Sequence, residues 1–343
     1  MPSKRRSPGT VLKLRMFARK LASAIAVGFL FFAAYANWFV RHSNDYLNEK
    51  RETLPGFIAK PLFATGEVCA DLTDSFGLTG SDATCAINSD YKAGNTFFAG
   101  IPRAKTDKAS KDITIVDKGE FTIAYSERLR HPVWCAYKIP AKALYSIESR
   151  PNFRKDGAFK SCPAASAYAR TGYDRGHMAP NYAIASRYGL DAQKKTFLMT
   201  NITPQTPELN RGIWRELEHR IADLFTAKWG DVWVIVGAVS DGSETLSGTD
   251  IGVPTSFYQI VTAKSENEIR VLAFLVDQQV GWGVWPRHYI TSVDHLEEMT
   301  GFDFLSDLED DVEEKIESQI PTRLWPVKFL DAFKALKIHL KGY

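Results

Sequence analysis

Residues 256–276 read SFYQIVTAKSENEIRVLAFLV, two runs of β-branched and aromatic residues on either side of a polar segment. Such runs predict strands, and the short polar connection between them predicts a β-hairpin. Further runs of the same type predict strands at residues 113–116, 120–126, 133–139 and 232–239. Together these strands indicate a largely antiparallel sheet.

A helix is predicted between the two groups of strands. From Leu209 to Trp229 apolar residues recur at helical spacing, and Gly230 is a suitable helix end. The apolar positions are Ile213, Leu217, Ile221, Leu224 and Phe225. Strands, then a helix, then strands predict an α+β fold with a central, mostly antiparallel β-sheet flanked by helices. Residues 303–318 predict a further, acidic helix.

The chain is long enough, at 343 residues, for one large domain or two ordinary ones. Its net charge of +3 is unevenly distributed, because residues 1–20 carry seven Lys/Arg and no acidic residue. The remainder has 36 of the 43 basic residues against 40 acidic ones, a net charge of −4. This balance argues against sequence-independent storage of nucleic acid, but it is compatible with a local basic cleft.

Residues 21–40, LASAIAVGFLFFAAYANWFV, carry no charge and have the length of a membrane-spanning helix. With the basic residues 1–20 before them, they predict a transmembrane anchor with the following domain outside the cytoplasm, periplasmic or extracellular. The alternatives are a signal peptide cleaved near Ala36, a mitochondrial presequence and a buried core helix. Residues 41–93 predict a linker and loop-rich extension.

Four cysteines, Cys69, Cys85, Cys135 and Cys162, form an even set. In an exported protein they permit two disulfides. Cys69 and Cys85 close a short loop and are predicted to pair, and Cys135 then pairs with Cys162 by elimination. Free buried thiols are the alternative, and no Cys or His spacing indicates a zinc site.

The stretch TGYDRGHMAP, residues 171–180, places Asp174, Arg175 and His177 close together. It is either a polar turn or part of a catalytic site. Further polar residues follow, at Asn201 after a short apolar run and at Asn210 and Glu218 in the predicted helix. Positions 210, 214 and 218 form an i, i+4 row, so Asn210 and Glu218 are expected to project from neighbouring parts of one helix surface.

These residues carry a resemblance to a known family. The ordered set DRGH, TNITPQ and LNRGIWRELE resembles the DNA/RNA non-specific endonucleases, the ββα-metal nucleases that include mitochondrial endonuclease G and secreted bacterial nucleases. YSERLRHPVWCAYKI, VWVIVGAV, VPTSFYQIV and YITSVDHLEEMTGFDF resemble further segments of that family. The resemblance extends over about residues 94–306, and it implies an endonuclease domain at residues 94–310. Residues 311–343 lie outside the resemblance, and their amphipathic pattern predicts a helical tail.

The resemblance implies a catalytic role for His177, with an imidazole that titrates near neutral pH as general base. Asn210 would be the one protein ligand of Mg²⁺, with Mn²⁺ as a substitute, since its amide oxygen is a hard ligand. Glu218 would orient a water molecule at the metal, and Arg175 would contact the phosphate. Asn201 would hold His177 or the substrate. Asp174 more simply anchors the turn.

A further arginine of the family corresponds to Arg150 or Arg154, of which Arg150 aligns better. Each polar residue also has an ordinary interpretation: His177 as a structural histidine, Asn210 as a helix cap and Glu218 as a partner of Arg215 or Arg211. The predicted function is hydrolysis of phosphodiester bonds in DNA and RNA with little sequence preference, and the resemblance implies 5′-phosphate and 3′-hydroxyl products.

Two other functions stay open at this point. One is a non-catalytic nucleic-acid-binding or surface interaction protein on the same scaffold, and the other is a narrower phosphodiesterase. A homodimer is also compatible with the sequence, as is a membrane association through residues 21–40.

Overall fold

The computed structural model describes residues 80–147 and 149–326. In chain order the strands are β1 (Ala83–Ala86), β2 (Arg103–Ala104), β3 (Ile113–Asp117), β4 (Phe121–Ser126), β5 (His131–Ile139), β6 (Asp174–His177), β7 (Ile202–Gln205), β8 (Val232–Val239), β9 (Ser256–Ser265), β10 (Glu268–Asp277), β11 (Ile290–Thr291) and β12 (Phe302–Asp303). The α-helices are α1 (Asp107–Ser110), α2 (Asn181–Tyr188), α3 (Leu190–Thr196), α4 (Arg215–His219), α5 (Thr226–Trp229), α6 (Val293–Thr300) and α7 (Asp310–Glu317).

The main sheet is antiparallel throughout, with the strand order β1-β10-β9-β8-β5-β4-β3 and with β11 beside β10. The predicted hairpin is confirmed as β9–β10, in which Ser265 lies opposite Glu268 at the turn. Two small antiparallel pairs, β12–β2 and β6–β7, lie outside the main sheet. The predicted α+β class, with a large antiparallel sheet, is therefore confirmed.

Both faces of the main sheet are covered, and this is why its strands are nearly continuous apolar runs. Successive side chains of a strand point to opposite faces. Tyr258 and Ile260 of β9 join a core that includes Leu296 of α6 and Ile316 of α7. Phe257, between them in register, contacts the ring of Trp214 from the opposite side, at 5.6 Å between centroids.

Close packing within the sheet depends on one glycine. Gly237 of β8 lies opposite Tyr258 of β9. A Cβ atom at position 237 would lie 2.0 Å from Cζ of the tyrosine ring. Only glycine leaves room for that ring.

The predicted helix is confirmed as one helical segment from Leu209 to Trp229, but its winding was not predicted. Two turns of π-helix, Leu209–Trp214 and Arg220–Phe225, alternate with α4 and α5. The helical dihedral angles are interrupted at Gly212, with φ −92° and ψ −114°. Gly230 ends the segment with φ 85°, in the region that glycine favours. Ile213, Leu217 and Ile221 are buried, as predicted.

Three predictions need correction. Asp174–His177 is the strand β6 and not a turn, because β7 supplies a partner for its backbone groups. The Cys135–Cys162 disulfide is wrong: both residues are free buried thiols, and Cys162 accepts a hydrogen bond from the backbone amide of Asp156. The disulfide predicted for Cys85 is also wrong, because Cys85 is a free, buried thiol; its predicted partner, Cys69, lies outside the described residues. The apolar cores around these thiols are packed without a cross-link.

Several predictions fall on parts of the chain that the structure does not describe. They include the anchor or signal segment 21–40, Cys69, and the tail from residue 327 onwards. None of the helices within the described ranges combines the length and apolar character required to span a membrane. The acidic helix near the carboxyl end is confirmed as α7.

Candidate active site

The antiparallel strand pair β6–β7 positions the DRGH residues. His177 lies opposite Ile202 and Asp174 lies opposite Gln205. Because side chains alternate along a strand, Arg175 and His177 share one face and Asp174 lies on the other. The first face meets the phenyl ring of Phe153, and the second meets the start of the helical segment Leu209–Trp229.

His177 is buried against two aromatic rings. Its imidazole lies 5.4 Å from the ring of Phe153 and 4.8 Å from that of Phe197, measured between centroids. Burial, and then the positive charge of Arg150, lower the pKa of His177 to about 3. Its Nε2 atom is buried and has no hydrogen-bond partner among the described residues. The ring is therefore neutral over the physiological pH range.

Two guanidinium groups lie on the same aromatic rings. The Cζ atom of Arg175 is 4.7 Å from the centroid of Phe153. The Cζ atom of Arg150 is 5.5 Å from the centroid of Phe197 and 5.8 Å from that of Phe153. Cation–π contacts at such distances hold a guanidinium in place while its N–H groups stay free for an anion. Both arginines are exposed.

Arg154, the other candidate for the family arginine, has a different setting. Its backbone forms a bridge with Leu198, in which its N–H donates to the carbonyl of Phe197 and its carbonyl accepts from Met199. Its side chain is exposed. Arg150 is the one of the two whose charge acts on His177.

Asn201 is fully buried and is bonded to backbone groups only. Its Oδ1 accepts from the N–H of Ala179 at 2.8 Å. Its Nδ2 donates to the carbonyls of Ala179 and Thr196, at 3.0 and 2.9 Å. In addition, the carbonyl of Asn201 accepts from the N–H of Met178 at 2.9 Å. Asn201 thus fixes the two residues that directly follow His177.

Asp174 connects β6 to the helical segment. Its Oδ2 accepts from Nδ2 of Asn210 at 2.9 Å, and both of its oxygens accept from the guanidinium of Arg211, at 2.7 and 2.6 Å. Burial tends to raise the pKa of Asp174, but Arg211 and Asn210 together lower it below its usual value. The group is therefore an ionised carboxylate, which only accepts hydrogen bonds. Asn210 must turn its NH₂ group towards Asp174, and its Oδ1 faces away.

Glu218 is half-buried on α4. Burial raises its pKa to about 8, against the opposing effect of Arg215. A nearby cation would stabilise the charged form of such a half-buried carboxyl group and so lower its pKa. The regular α-helical winding predicted from residue 210 to residue 218 is wrong, because Leu209–Trp214 forms a π turn and Trp214 is buried in the core. That Asn210 and Glu218 project from neighbouring parts of the helix surface stays a prediction.

The residues present fit a hard divalent metal ion. Asn210 offers an amide oxygen whose direction is fixed by Asp174. Such an oxygen, with waters at the other positions, suits Mg²⁺, which binds few protein ligands and retains much of its hydration shell. Glu218 supplies a carboxylate from the same helical segment.

Two of the functionally placed residues were missed by the sequence analysis, Phe153 and Phe197. A third, Arg211, was considered only as a partner of Glu218, whereas it binds Asp174. Phe153 lies between Arg150 and Arg154 in the stretch SRPNFR. This position between two basic residues is the only sequence feature that indicates a functional role for Phe153. The signal is weak, because an isolated phenylalanine normally belongs to the core.

Comparison with known proteins agrees with the fold. The chain is 31% identical to a nuclease from Nostoc sp. over 232 residues, which cover 63% of this chain and 82% of that protein. It is 32% identical to the mitochondrial nuclease EXOG of Danio rerio, with 54% of this chain and 59% of that protein covered. It is 27% identical to a nuclease of Serratia marcescens, with 61% and 81% covered.

A solved structure, that of the EndoG/EndoGI complex, matches with a TM-score of 0.52 and 21% identity. The match covers 58% of this chain and 88% of that chain, and at this identity it supports the fold alone. These relatives are all nucleases. The model of the DNA/RNA non-specific endonuclease family matches residues 103–311, and the chain belongs to that family.

Proposed function

We propose that the protein is a metal-dependent endonuclease that hydrolyses phosphodiester bonds of DNA and RNA with little sequence preference. The observation that carries the proposal is the placement of a neutral, buried imidazole at His177 beside the guanidinium groups of Arg150 and Arg175. The same strand, through Asp174, orients the amide of Asn210. In this proposal, the combination would supply a base, two phosphate-binding groups and a metal ligand.

His177 is the proposed general base. Because Nε2 is buried, Nδ1 is the ring nitrogen left to meet solvent. A neutral ring that holds its proton on Nε2 accepts the proton of the attacking water at Nδ1. Asn201 holds the backbone of Met178 and Ala179, which directly follow His177, and would in this way fix the direction of the imidazole ring.

Arg150 and Arg175 are proposed to bind the phosphate of the substrate. A guanidinium donates two parallel hydrogen bonds to phosphate oxygens. The bound anion also offsets the positive charge of Arg150, which contributes to the low pKa of His177. Substrate binding would therefore remove the smaller of the two causes that lower the pKa of the imidazole, while burial, the larger cause, remains.

Asn210 would hold Mg²⁺, or Mn²⁺ in its place, through Oδ1. When bound, the ion supplies positive charge that stabilises the negative charge on the phosphoryl oxygens and the leaving oxygen. Glu218 would accept a hydrogen bond from a water molecule near that ion, because a neighbouring cation favours the ionised form of its carboxyl group. Asp174 is proposed to act through Asn210, to which it is hydrogen-bonded, as a positioning residue.

The test is cleavage of plasmid DNA and of RNA by the full-length protein, with and without Mg²⁺. His177→Ala should lower the rate by about 10²–10⁴-fold, the usual contribution of a general base. His295→Ala is the matched control, because His295 is exposed on α6 and pairs with Glu298. Full activity of His177→Ala, or full activity without any divalent metal, would contradict the proposal. Salt-dependent binding without cleavage would favour the non-catalytic alternative.

For the compartment, the relatives named as mitochondrial, which include EXOG of Danio rerio and of Homo sapiens, favour a mitochondrial destination among those considered for residues 1–40. The proposed boundaries of the catalytic domain remain residues 94–310. The mature amino terminus and the cell fraction that holds the nuclease activity test this assignment.

A further inference from the structure

Three carboxylates from two helices meet on the opposite face of the main sheet from the segment Leu209–Trp229. Asp294 and Glu297 belong to α6, and Glu317 ends α7. One carboxylate oxygen of each lies within 4.8 Å of those of the other two. They are at least 100 positions from His177 in the sequence, and none of them contributes to the site described above.

An independent observation points to a missing ligand at this cluster. The side chain of Glu317 is buried, with 5% of its surface exposed. Its Oε1 atom has no hydrogen-bond partner within the described residues. A buried carboxylate oxygen is costly unless it is paired, protonated or bound to a metal ion. Glu297 is also buried.

The charges around the cluster are unbalanced. Lys105 is the cation in contact: its Nζ lies 2.5 Å from Glu297 and 2.9 Å from Asp303. The N–H of Phe304 also donates to Glu297, at 2.7 Å. Asp303 and Glu313 add further negative charge at Glu317. Burial and then these surrounding carboxylates raise the pKa of Glu317 to about 9.

We propose that Asp294, Glu297 and Glu317 form a binding site for a divalent cation of the size of Ca²⁺. Oxygen ligands of Ca²⁺ lie about 2.3–2.6 Å from the ion, so two ligands on opposite sides are roughly 5 Å apart. The separations in the cluster fit within this span. Asp294 is exposed and gives the ion access, while waters fill the remaining positions. The unpartnered oxygen of Glu317 becomes a ligand.

The structural consequence is a link between α6 and α7. These two helices cover one face of the sheet, and Lys105 adds the segment that follows β2. A cation that binds the folded cluster, and not the unfolded chain, stabilises the folded state in proportion to its occupancy. The site is structural and separate from the proposed catalytic metal.

The test is the thermal unfolding of the full-length protein in a Ca²⁺ titration, together with calorimetric binding of Ca²⁺. The unfolding midpoint should rise and saturate in the wild type. Glu317→Gln keeps the shape and removes a ligand charge, so it should weaken the binding of Ca²⁺ at least tenfold. Asp294→Asn, at an exposed position, should do the same and provides the readout if Glu317→Gln does not fold.

Two controls separate this site from others. Glu314→Gln removes the same charge from an exposed position of α7, and Asn210→Ala removes the proposed catalytic ligand. Both should retain the Ca²⁺-dependent rise. The proposal is overturned by the absence of a saturable rise in the wild type, by an unchanged rise in Glu317→Gln and Asp294→Asn, or by loss of the rise in Asn210→Ala.

Discussion

At the scale of single residues, Asp174 shows how one carboxylate determines what its neighbour presents. The sequence favours an anchor within a turn for this residue. In the structure it bridges a strand and a helix, with Asn210 and Arg211 as its partners. Since an ionised carboxylate accepts hydrogen bonds only, the orientation of the Asn210 amide follows from Asp174.

This gives a prediction for Asp174→Asn. An amide at position 174 can bind either the NH₂ group or the oxygen of the Asn210 amide, so it does not fix the orientation of Asn210. The variant also loses the ion pair with Arg211. Loss of a group that orients a metal ligand typically costs 10–100-fold in metal affinity. We expect the Mg²⁺ concentration for half-maximal cleavage to rise about tenfold or more, with a smaller effect on the rate at saturating Mg²⁺.

A Mg²⁺ titration of the nuclease rate measures this effect. Asp191→Asn is the matched control, because Asp191 is exposed and pairs only with Lys194 in the next turn. An unchanged Mg²⁺ requirement in Asp174→Asn would exclude the orienting role.

At the scale of secondary structure, the strand pair β6–β7 depends on a glycine that lies between two site residues of β6. Gly176 lies between Arg175 and His177, opposite Thr203. A Cβ atom there would lie 2.1 Å from Oε1 and 2.6 Å from Cγ of Gln205, which is fully buried. A side chain at position 176 would therefore require the buried side chain of Gln205 to move.

We therefore expect Gly176→Ala to destabilise the protein by about 1–3 kcal/mol, as overpacking of a core does, and to lower the nuclease rate because His177 is displaced. The double variant Gly176→Ala/Gln205→Ala lacks the clashing atoms, so it should recover part of the stability and part of the nuclease rate. Urea unfolding and the cleavage rate measure the two effects. Gly157→Ala is the control, since no atom lies within 4 Å of a Cβ at that position. Equal losses in the single and double variants would refute this account.

The helical segment Leu209–Trp229 shows the limit of pattern reading at the same scale. Its extent, buried face and glycine end followed from apolar spacing and from Gly230. The π turns did not, because one extra residue in a turn changes the apolar pattern little. The π turn Leu209–Trp214 therefore appears only in the structure, where Trp214 is buried in the core.

At the scale of the whole molecule, an ion-pair network joins segments that are far apart in the chain. Asp82, beside β1, accepts from Arg270 of β10 at 3.2 Å and from Arg323 near the end of the described chain at 2.7 Å. All three side chains are largely buried, and Arg270 also lies over the ring of Trp229, 3.6 Å from its centroid. The network thus connects an edge strand, its neighbour and the carboxyl-terminal segment.

We expect Asp82→Ala to lower the free energy of unfolding by about 3 kcal/mol, because removing one partner leaves buried charge uncompensated. Denaturant unfolding measures it, and Asp90→Ala, in an exposed turn, is the control. A change no larger than that of the control would mean that the network does not support the fold.

The sequence by itself determined the strands, the hairpin, the helix and the ordered set of polar residues that carries the family resemblance. Each of these depends on residues close together in the chain, and local periodicity reports them directly. Tertiary structure alone decided that Phe153 and Phe197 enclose His177, that Cys135 and Cys162 remain free, and that Glu317 meets Asp294 and Glu297. Such contacts join residues that are far apart in the chain. They depend on packing, on burial and on which partner is available at each site. These factors leave no periodic pattern in the sequence.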